Sequence, residues 1–138
     1  LITHKFDFSF SGLKTAVARW VEAWQKTGEI IPVSDVAASF QEAVVEVLVK
    51  KTLLAAKETG IDTIIVGGGV AANSRLRSMI TQKAQEHKLL VRIPKPSLCT
   101  DNGAMVAALG SQLVKEGIKP SELNFEVDPI LPITVQKN

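Results

Sequence analysis

The sequence predicts an α/β fold in which a small, mainly parallel β-sheet is flanked by helices. Short apolar segments alternate along its 138 residues with longer segments of helical periodicity. Glycine or proline separates most of these segments, as is typical of turns. Hydrophobic residues make up 46% of the chain and charged residues 22%, which supplies a core and argues against disorder. Because strands that alternate with helices are joined by helical crossovers, the sheet that they form is mainly parallel.

The N-terminal part of the chain predicts a strand followed by a helix. Phenylalanine alternates with polar residues over residues 6–10, which favours a short strand with one apolar face. A helix should then begin at Ser11, whose hydroxyl can accept a hydrogen bond from a backbone N–H of the first turn. Helical spacing places Trp20 and Trp24 on one face of this helix, and we expect both to point towards the core.

The next segment predicts a second and longer helix, the clearest element of the sequence. It should begin at Ser34 or Asp35 and end at Gly60, since glycine readily adopts the left-handed conformation that closes a helix. Glu46 and Lys50 lie four residues apart and should form an ion pair on its surface. Helical spacing predicts one apolar stripe, formed by Val36, Phe40, Val44, Leu48 and Leu54.

The remainder of the chain predicts strands and helices in alternation. Residues 61–66 are typical of a fully buried strand, and three glycines separate them from a helix that opens at residues 70–73. A short strand over residues 89–93 and a helix over residues 103–116 follow. Residues 125–135 either add a strand or wrap the surface, since the pattern there favours neither.

The strongest indication of chemistry is the glycine turn, which we define as residues 67–73. Gly67, Gly68 and Gly69 carry no side chains, so a ligand can approach the backbone, and the helix after them offers N–H groups to an anion. The amide of Asn73, in the first helical turn, can bind a ribose hydroxyl or a phosphate. The alternative is a purely structural turn with an exposed Asn73. The turn also matches a relaxed dinucleotide fingerprint, but the following strand ends without the acidic residue that would hold the ribose.

A second polar segment, residues 99–105, precedes the last predicted helix. Asp101 could ligate a metal, hold a cation bound to phosphate, or cap the helix, and the residues alone favour the cap. The helix is rich in glycine and alanine, which predicts close approach to a neighbouring element. Cys99 lacks a nearby basic cluster in the sequence that would lower its pKa, so we expect a buried structural thiol.

Bulk properties and the first residue give three further expectations. Cys99 is the single cysteine and cannot form an internal disulfide, which favours a reducing, cytoplasmic environment. No apolar run approaches the roughly 18 residues of a membrane span, so we expect no membrane partner. Because the chain begins at Leu1, we expect it to be an excised piece of a longer protein, with a trimmed small protein as the alternative.

The charge is unevenly distributed although the net charge is only +2. Residues 71–100 contain six basic residues against one acidic residue, Glu86. Such an excess is either the solvated face of a helix or a surface that meets the phosphates of a polynucleotide. The basic residues are Arg75, Arg77, Lys83, Lys88, Arg92 and Lys95.

Four blocks of sequence together resemble a known family. Residues 8–15, 37–41, 67–73 and 99–105 occur in the order seen in the bacterial tRNA threonylcarbamoyladenosine transferases, the TsaD family, formerly called O-sialoglycoprotein endopeptidases. The similarity extends from about Lys5 to Gly117. It implies that residues 1–138 are the C-terminal lobe of a two-lobed, actin-like protein of the ASKHA and ribonuclease H-like type, with its N-terminal lobe elsewhere.

The resemblance also implies a function and a site. Members of the family transfer a threonylcarbamoyl group from threonylcarbamoyl-AMP to adenosine 37 of tRNAs that read codons starting with A. By resemblance, Gly67, Gly68, Gly69 and Asn73 contact the adenylate, and Asp101 is a ligand to one divalent metal ion, iron or zinc. The two metal-binding histidines of the family belong to the N-terminal lobe, so this chain carries no catalytic residue and should be inactive alone.

The expected partners are tRNA, a paralogous actin-like protein and an ATPase of the same pathway. Two alternatives remain: a lobe of another actin-like enzyme, such as a sugar kinase or a carbamoyltransferase, or a non-catalytic paralogous partner. The first would share the glycine turn but should lack the block at residues 99–105, and the second needs no metal ligand, so Asp101 argues against it.

Overall fold

The computed structural model describes residues 5–124, and the expected strand or surface segment at residues 125–135 lies outside that part. The described residues form two compact units, divided between Asp101 and Asn102. The first unit contains three helices and two strands, and the second contains one helix, which confirms the α/β class. The elements are α1 (Ser11–Gln25), α2 (Val33–Thr59), β1 (Thr63–Ile65), α3 (Ser74–Glu86), β2 (Leu90–Arg92) and α4 (Gly103–Lys115).

The two strands form a small parallel sheet, as the alternation of strands and helices predicts. Ile64 lies opposite Val91, and α3 connects the strands as a β–α–β unit. The strand predicted at residues 61–66 is shorter and is not fully buried. Ile64 is only 7% exposed, whereas Ile65 is 78% exposed, because successive side chains point to opposite faces and the core covers one face.

Helix α2 begins at Val33, one residue before the predicted start, and ends at Gly60 as predicted. Gly60 adopts φ 70°, the left-handed conformation that closes a helix. The expected pair of Lys50 and Glu46 forms, with 2.7 Å between nitrogen and oxygen. The fully buried residues, Val45 and Val49, lie one position beyond the predicted Val44 and Leu48. Val44 is half-buried, and Leu48 is partly buried and packs against the core, so the predicted stripe is only partly correct. Valine and leucine occupy consecutive positions there, so periodicity alone allows two registers.

The core of the first unit lies between α2, α3 and the sheet. Its buried residues come from all three layers and touch one another across elements that are distant in sequence. Partly buried hydrophobic residues from the same elements surround it. The buried cluster is Val45, Val49, Ala56, Ile64, Leu76 and Ile80.

The strand predicted at residues 6–10 does not form in the described structure. The segment is an irregular extended approach to α1, and the rings of Phe8 and Phe10 stack with centroids 6.5 Å apart. Alternating phenylalanines therefore bring the two rings to one side of the chain, as in a strand. A strand also requires a hydrogen-bonded neighbour, and no such neighbour lies beside this segment among residues 5–124.

Helix α1 begins at Ser11 as predicted, but the predicted cap and core face are wrong. Phe10 occupies the N-cap position, and no side chain caps the helix there. Trp20 is 41% exposed, and Trp24 is half-buried. Their rings pack against each other with centroids 4.9 Å apart. Within the described part of the chain, no helix is both long and apolar enough to cross a membrane.

Candidate functional site

The glycine turn leaves β1 through a conformation that only glycine adopts readily. Gly68 has φ 83° and ψ 172°, a region in which a side chain would clash with its own backbone. Gly67 and Gly69 do not have positive φ. A methyl group added at any of the three would meet no heavy atom of the described chain within 4 Å. The turn is therefore open on its outer side, as the approach of a ligand to the backbone requires.

The segment after the glycines differs from the prediction. Gly69–Ala72 forms a single 3-10 turn, and α3 begins only at Ser74. Asn73 is thus the N-cap residue of α3 and does not lie in its first turn. Its Oδ1 accepts a hydrogen bond from the backbone N–H of Leu76 at 2.9 Å. Because the side chain of Asn73 satisfies one of the free N–H groups of α3, the helix start is less available to an anion than the sequence suggested.

The other end of the Asn73 amide is held by helix α2. Its Nδ2 donates a hydrogen bond to Oε1 of Gln41 at 2.9 Å. Gln41 and Asn73 also line a cavity of about 280 Å³ together with Phe40 and Val70. A second, largely apolar cavity of about 400 Å³ is lined by Gly67 and Val70. The glycine turn and Asn73 therefore border concave surfaces that combine apolar walls with a small number of polar groups, as small-molecule sites do.

A bidentate ion pair joins α2 to α3 beside Asn73. Nε and Nη2 of Arg75 donate to the two carboxylate oxygens of Glu42, each at 2.7 Å. The hydrogen bond from Arg75 lowers the pKa of Glu42, and the same bond raises the pKa of Arg75. Because the pKa of Glu42 is lower in the folded chain, the pair stabilises the fold above the ordinary glutamate range. That contribution is lost as the pH falls through the lowered pKa.

The guanidinium of Arg77 holds two backbone segments, one inside the glycine turn and one after β2. Its Nη1 donates to the carbonyl of Ala71 and its Nη2 to the carbonyl of Pro94, each at 2.8 Å. Cys99, only 3% exposed, lies next to this arginine, with its Sγ 3.5 Å from the carbonyl oxygen of Lys95. The predicted burial of the thiol is confirmed, whereas its basic neighbour, Arg77, was missed in the sequence. The guanidinium of Arg77 connects the glycine turn to the segment that follows β2.

These contacts change the interpretation of the basic stretch. Arg75 is paired with Glu42, Arg77 binds two carbonyls, and Lys83 pairs with Glu86 at 2.9 Å. Half of the six basic side chains therefore have intramolecular roles. The count along the sequence missed Glu42, which is distant in sequence and reaches the stretch from α2. The structure does not present these six basic residues as one surface open to tRNA.

Asp101 is exposed and does not cap α4. The N-cap is Asn102, whose Oδ1 accepts from the backbone N–H of Met105 at 3.0 Å. The capping role that the residues alone favoured for Asp101 is therefore wrong, and Asn102 takes that role. Within residues 5–124, Asp101 forms no hydrogen bond or ion pair, so its oxygens are available.

A complete metal site does not form from the described residues. No group of three or more histidine, cysteine, aspartate or glutamate side chains that could hold a metal ion occurs among residues 5–124. His87 is exposed at the end of α3, and His4 lies outside the described part. Residues 5–124 therefore do not form a metal site by themselves, and the ligand role of Asp101 stays a prediction. Helix α4 has no buried residue in the described structure, and its close approach to another element stays a prediction.

The conformation of Gly68 gives a prediction with an internal control. Gly68→Ala should destabilise the protein by about 1–3 kcal/mol, because alanine is strained at this φ and ψ. Gly67→Ala should be neutral or stabilising by up to about 1 kcal/mol, since its φ is not positive and alanine restricts the unfolded chain. Urea unfolding of both variants measures the difference. Equal effects of the two substitutions would show that the conformation of Gly68 carries no strain for alanine.

Comparison with known proteins identifies relatives of the whole chain. The family described as TsaD, tRNA N6-adenosine threonylcarbamoyltransferase, matches residues 2–108. Proteins named tRNA N6-adenosine threonylcarbamoyltransferase from Corynebacterium diphtheriae and Bifidobacterium adolescentis are each 51% identical, over 132 and 131 residues. The relative of the same name from Bifidobacterium longum is 50% identical over 131 residues. The alignments cover 95–96% of this chain but only 38% of each relative.

Proposed function

The chain belongs to the tRNA N6-adenosine threonylcarbamoyltransferase family, whose fold is actin-like, and we propose that it supplies the adenylate-binding part of such a transferase. The complete transferase, meaning this chain joined to the rest of the length that its relatives have, moves threonylcarbamoyl from threonylcarbamoyl-AMP to adenosine 37 of tRNA. The tRNAs are those that read codons starting with A. One observation carries the proposal: the open glycine turn, with Asn73 at its end, lies inside the matched residues.

The geometry supports a binding role for the glycine turn. Gly67, Gly68 and Gly69 leave space for a phosphate or ribose to approach the backbone. The Nδ2 of Asn73 has a second N–H group beyond the one that it donates to Gln41, and this group can bind an acceptor oxygen of the adenylate. The apolar cavities beside the turn suit the flat base.

Holding the adenylate also prepares the leaving group of the reaction. The N6 nitrogen of adenosine forms a bond to the carbamoyl carbon, the bond from that carbon to the phosphate oxygen breaks, and AMP leaves with the bonding electrons. The attacking nitrogen loses a proton. Residues that hold AMP in place also position the carbamoyl carbon for attack by the N6 nitrogen. Part of the binding energy is thereby used to orient the reacting groups. In this chain the proposed contribution is binding and orientation, and proton transfer belongs to other parts of the transferase.

Asp101 is proposed as one ligand of a divalent ion, iron or zinc. Its carboxylate is exposed and has no partner among residues 5–124, so it is chemically available. A bound divalent ion polarises a carbonyl oxygen and stabilises the negative charge that develops there. The remaining ligands would come from the part of the transferase that this chain does not contain, because residues 5–124 hold no group of three or more such side chains around an ion.

The proposed partners follow from the family. They are tRNA, a paralogous actin-like protein and an ATPase of the same pathway, in the cytoplasm. The family match favours this assignment over a sugar kinase or another carbamoyltransferase. It also favours a catalytic parent protein over a non-catalytic partner.

A transfer assay tests the proposal. Purified complete transferase, its partner proteins, tRNA and threonylcarbamoyl-AMP should give modified adenosine 37, detected by mass spectrometry of digested tRNA. Residues 1–138 alone should give no multiple-turnover product, because they correspond to only 38% of the length of their relatives. Repeated turnover by residues 1–138 alone would contradict the proposal that they are only part of the machinery.

A further inference from the structure

The side-chain amide of Asn73 is held at both ends. Its Oδ1 accepts from the backbone N–H of Leu76, and its Nδ2 donates to Oε1 of Gln41, both at 2.9 Å. A backbone N–H can only donate, so the atom that faces Leu76 must be the oxygen of the amide. The nitrogen is therefore assigned to the side of Gln41. Asn73 is left with one N–H group and one lone pair that neither partner uses.

Helix α2 holds the start of α3 through two neighbouring residues. Gln41 accepts from Asn73, and Glu42, the next residue, takes a bidentate ion pair from Arg75. The two residues that α2 contacts, Asn73 and Arg75, lie two positions apart at the start of α3. Because α2 is a 27-residue helix with its middle in the core, it is a rigid support for both contacts.

We propose that Gln41 is a positioning residue for the adenylate site, acting through Asn73, an inference that rests on the proposed function. By taking one N–H group of the Asn73 amide, Gln41 fixes the plane of that amide. The second N–H group of Asn73 then points in one fixed direction and is available as a hydrogen-bond donor. The ligand group that it suits is an acceptor oxygen, on a ribose or a phosphate, and Gln41 itself touches no reacting atom.

Removing the acceptor oxygen of Gln41 should let the Asn73 amide rotate more freely, while AMP can still bind. In Gln41→Met the side chain keeps its length but cannot accept the hydrogen bond from Asn73. The Asn73 amide then keeps only its contact to Leu76, and part of the binding energy must be spent on ordering it. We expect the affinity of the complete transferase for AMP, the probe in calorimetric titrations, to fall by about 2- to 10-fold.

A double-mutant cycle separates positioning from direct contact. Asn73→Ala should weaken AMP binding by itself, and Gln41→Met added to it should cause no further loss, because Gln41 acts only through Asn73. Gln82→Met is the matched control. Gln82 is an exposed glutamine on α3 that bonds to Glu86 of the same helix, and its loss should leave AMP affinity unchanged.

A second readout does not depend on binding. The NMR signals of the Asn73 side-chain amide should shift in Gln41→Met and stay close to the parent in Gln41→Glu, which keeps an acceptor oxygen. This pair remains informative even where the methionine variant folds poorly, since Gln41→Glu reports the same hydrogen bond. Unchanged Asn73 signals in a folded Gln41→Met protein would refute the positioning role.

The possible outcomes distinguish a failure of the role of Gln41 from a failure of the proposed adenylate site. If Asn73→Ala weakens AMP binding and Gln41→Met does not, the positioning role of Gln41 is overturned. The proposed adenylate site at Asn73 then still stands. An additive loss in the double variant would show that Gln41 acts independently, which also overturns positioning. Unchanged AMP affinity in Asn73→Ala would reject the proposed adenylate site itself.

Discussion

Asp101→Ala in the complete transferase should lower metal content and transfer activity together while the protein stays folded. Loss of a second-shell partner of a metal costs about 10- to 100-fold in affinity or activity, so loss of a direct ligand should cost at least as much. Because Asp101 is exposed and has no partner among residues 5–124, its removal should change stability by less than about 0.5 kcal/mol. Elemental analysis of the purified variant, with its thermal midpoint, measures both effects.

The adjacent residue provides a control for this result. Asn102 caps α4, and Asn102→Ala should cost about 0.5–2 kcal/mol of stability while metal content stays at the parental level. The two neighbouring substitutions therefore have opposite signatures, one on the metal and one on stability. Full metal occupancy in folded Asp101→Ala would show that this aspartate is not a ligand.

The second large effect concerns Arg77. Arg77→Met removes the two hydrogen bonds that tie the carbonyls of Ala71 and Pro94 together. Hydrogen bonds to charged groups contribute about 1.5–3 kcal/mol each, and partial access of water should reduce the total loss to about 2–3 kcal/mol. Arg77→Lys should also destabilise the protein, because a single ammonium cannot reproduce the planar fork that spans both carbonyls. The thermal midpoint of the complete transferase measures both variants.

The lysine substitution distinguishes structure from charge. A role of Arg77 in binding tRNA phosphates would be largely preserved by lysine, whereas a structural fork would not. Lys83→Met is the comparison, since Lys83 makes only an exposed pair with Glu86, and such pairs contribute less than about 1 kcal/mol. A stable Arg77→Lys protein with parental tRNA binding, beside weakened tRNA binding in Arg77→Met, would instead show that Arg77 binds phosphate.

Local signals in the sequence were sufficient for much of the fold. Helix α2 and its end at Gly60, the parallel pairing of β1 with β2, and the start of α4 all follow from periodicity, glycine conformation and caps. The strand expected at residues 6–10 could not be settled in this way. Alternation shows that one face is apolar, but a strand also depends on a hydrogen-bonded neighbour, which is a property of the tertiary structure.

In the candidate site, too, local features could be predicted from the sequence, whereas contacts between distant residues could not. The sequence singled out the glycines and Asn73, because backbone freedom and amide chemistry are local properties. It could not show that Gln41 holds Asn73 or that Glu42 neutralises Arg75, since 32 and 33 residues separate those partners. The same reasoning misjudged Arg77, whose two carbonyl partners are brought together only by the fold. Residues that support a site are therefore harder to predict from one sequence than residues that form it.

A crystal structure of the complete transferase with bound AMP would show whether the glycine turn and Asn73 hold the adenylate. We expect AMP against residues 67–69, with the second N–H of Asn73 donating to a ribose or phosphate oxygen at about 2.7–3.2 Å. We also expect the hydrogen bond between Asn73 and Gln41 to remain in the complex. AMP bound away from this turn, with Asn73 in contact only with Leu76 and Gln41, would show that the turn and Asn73 do not form the adenylate site.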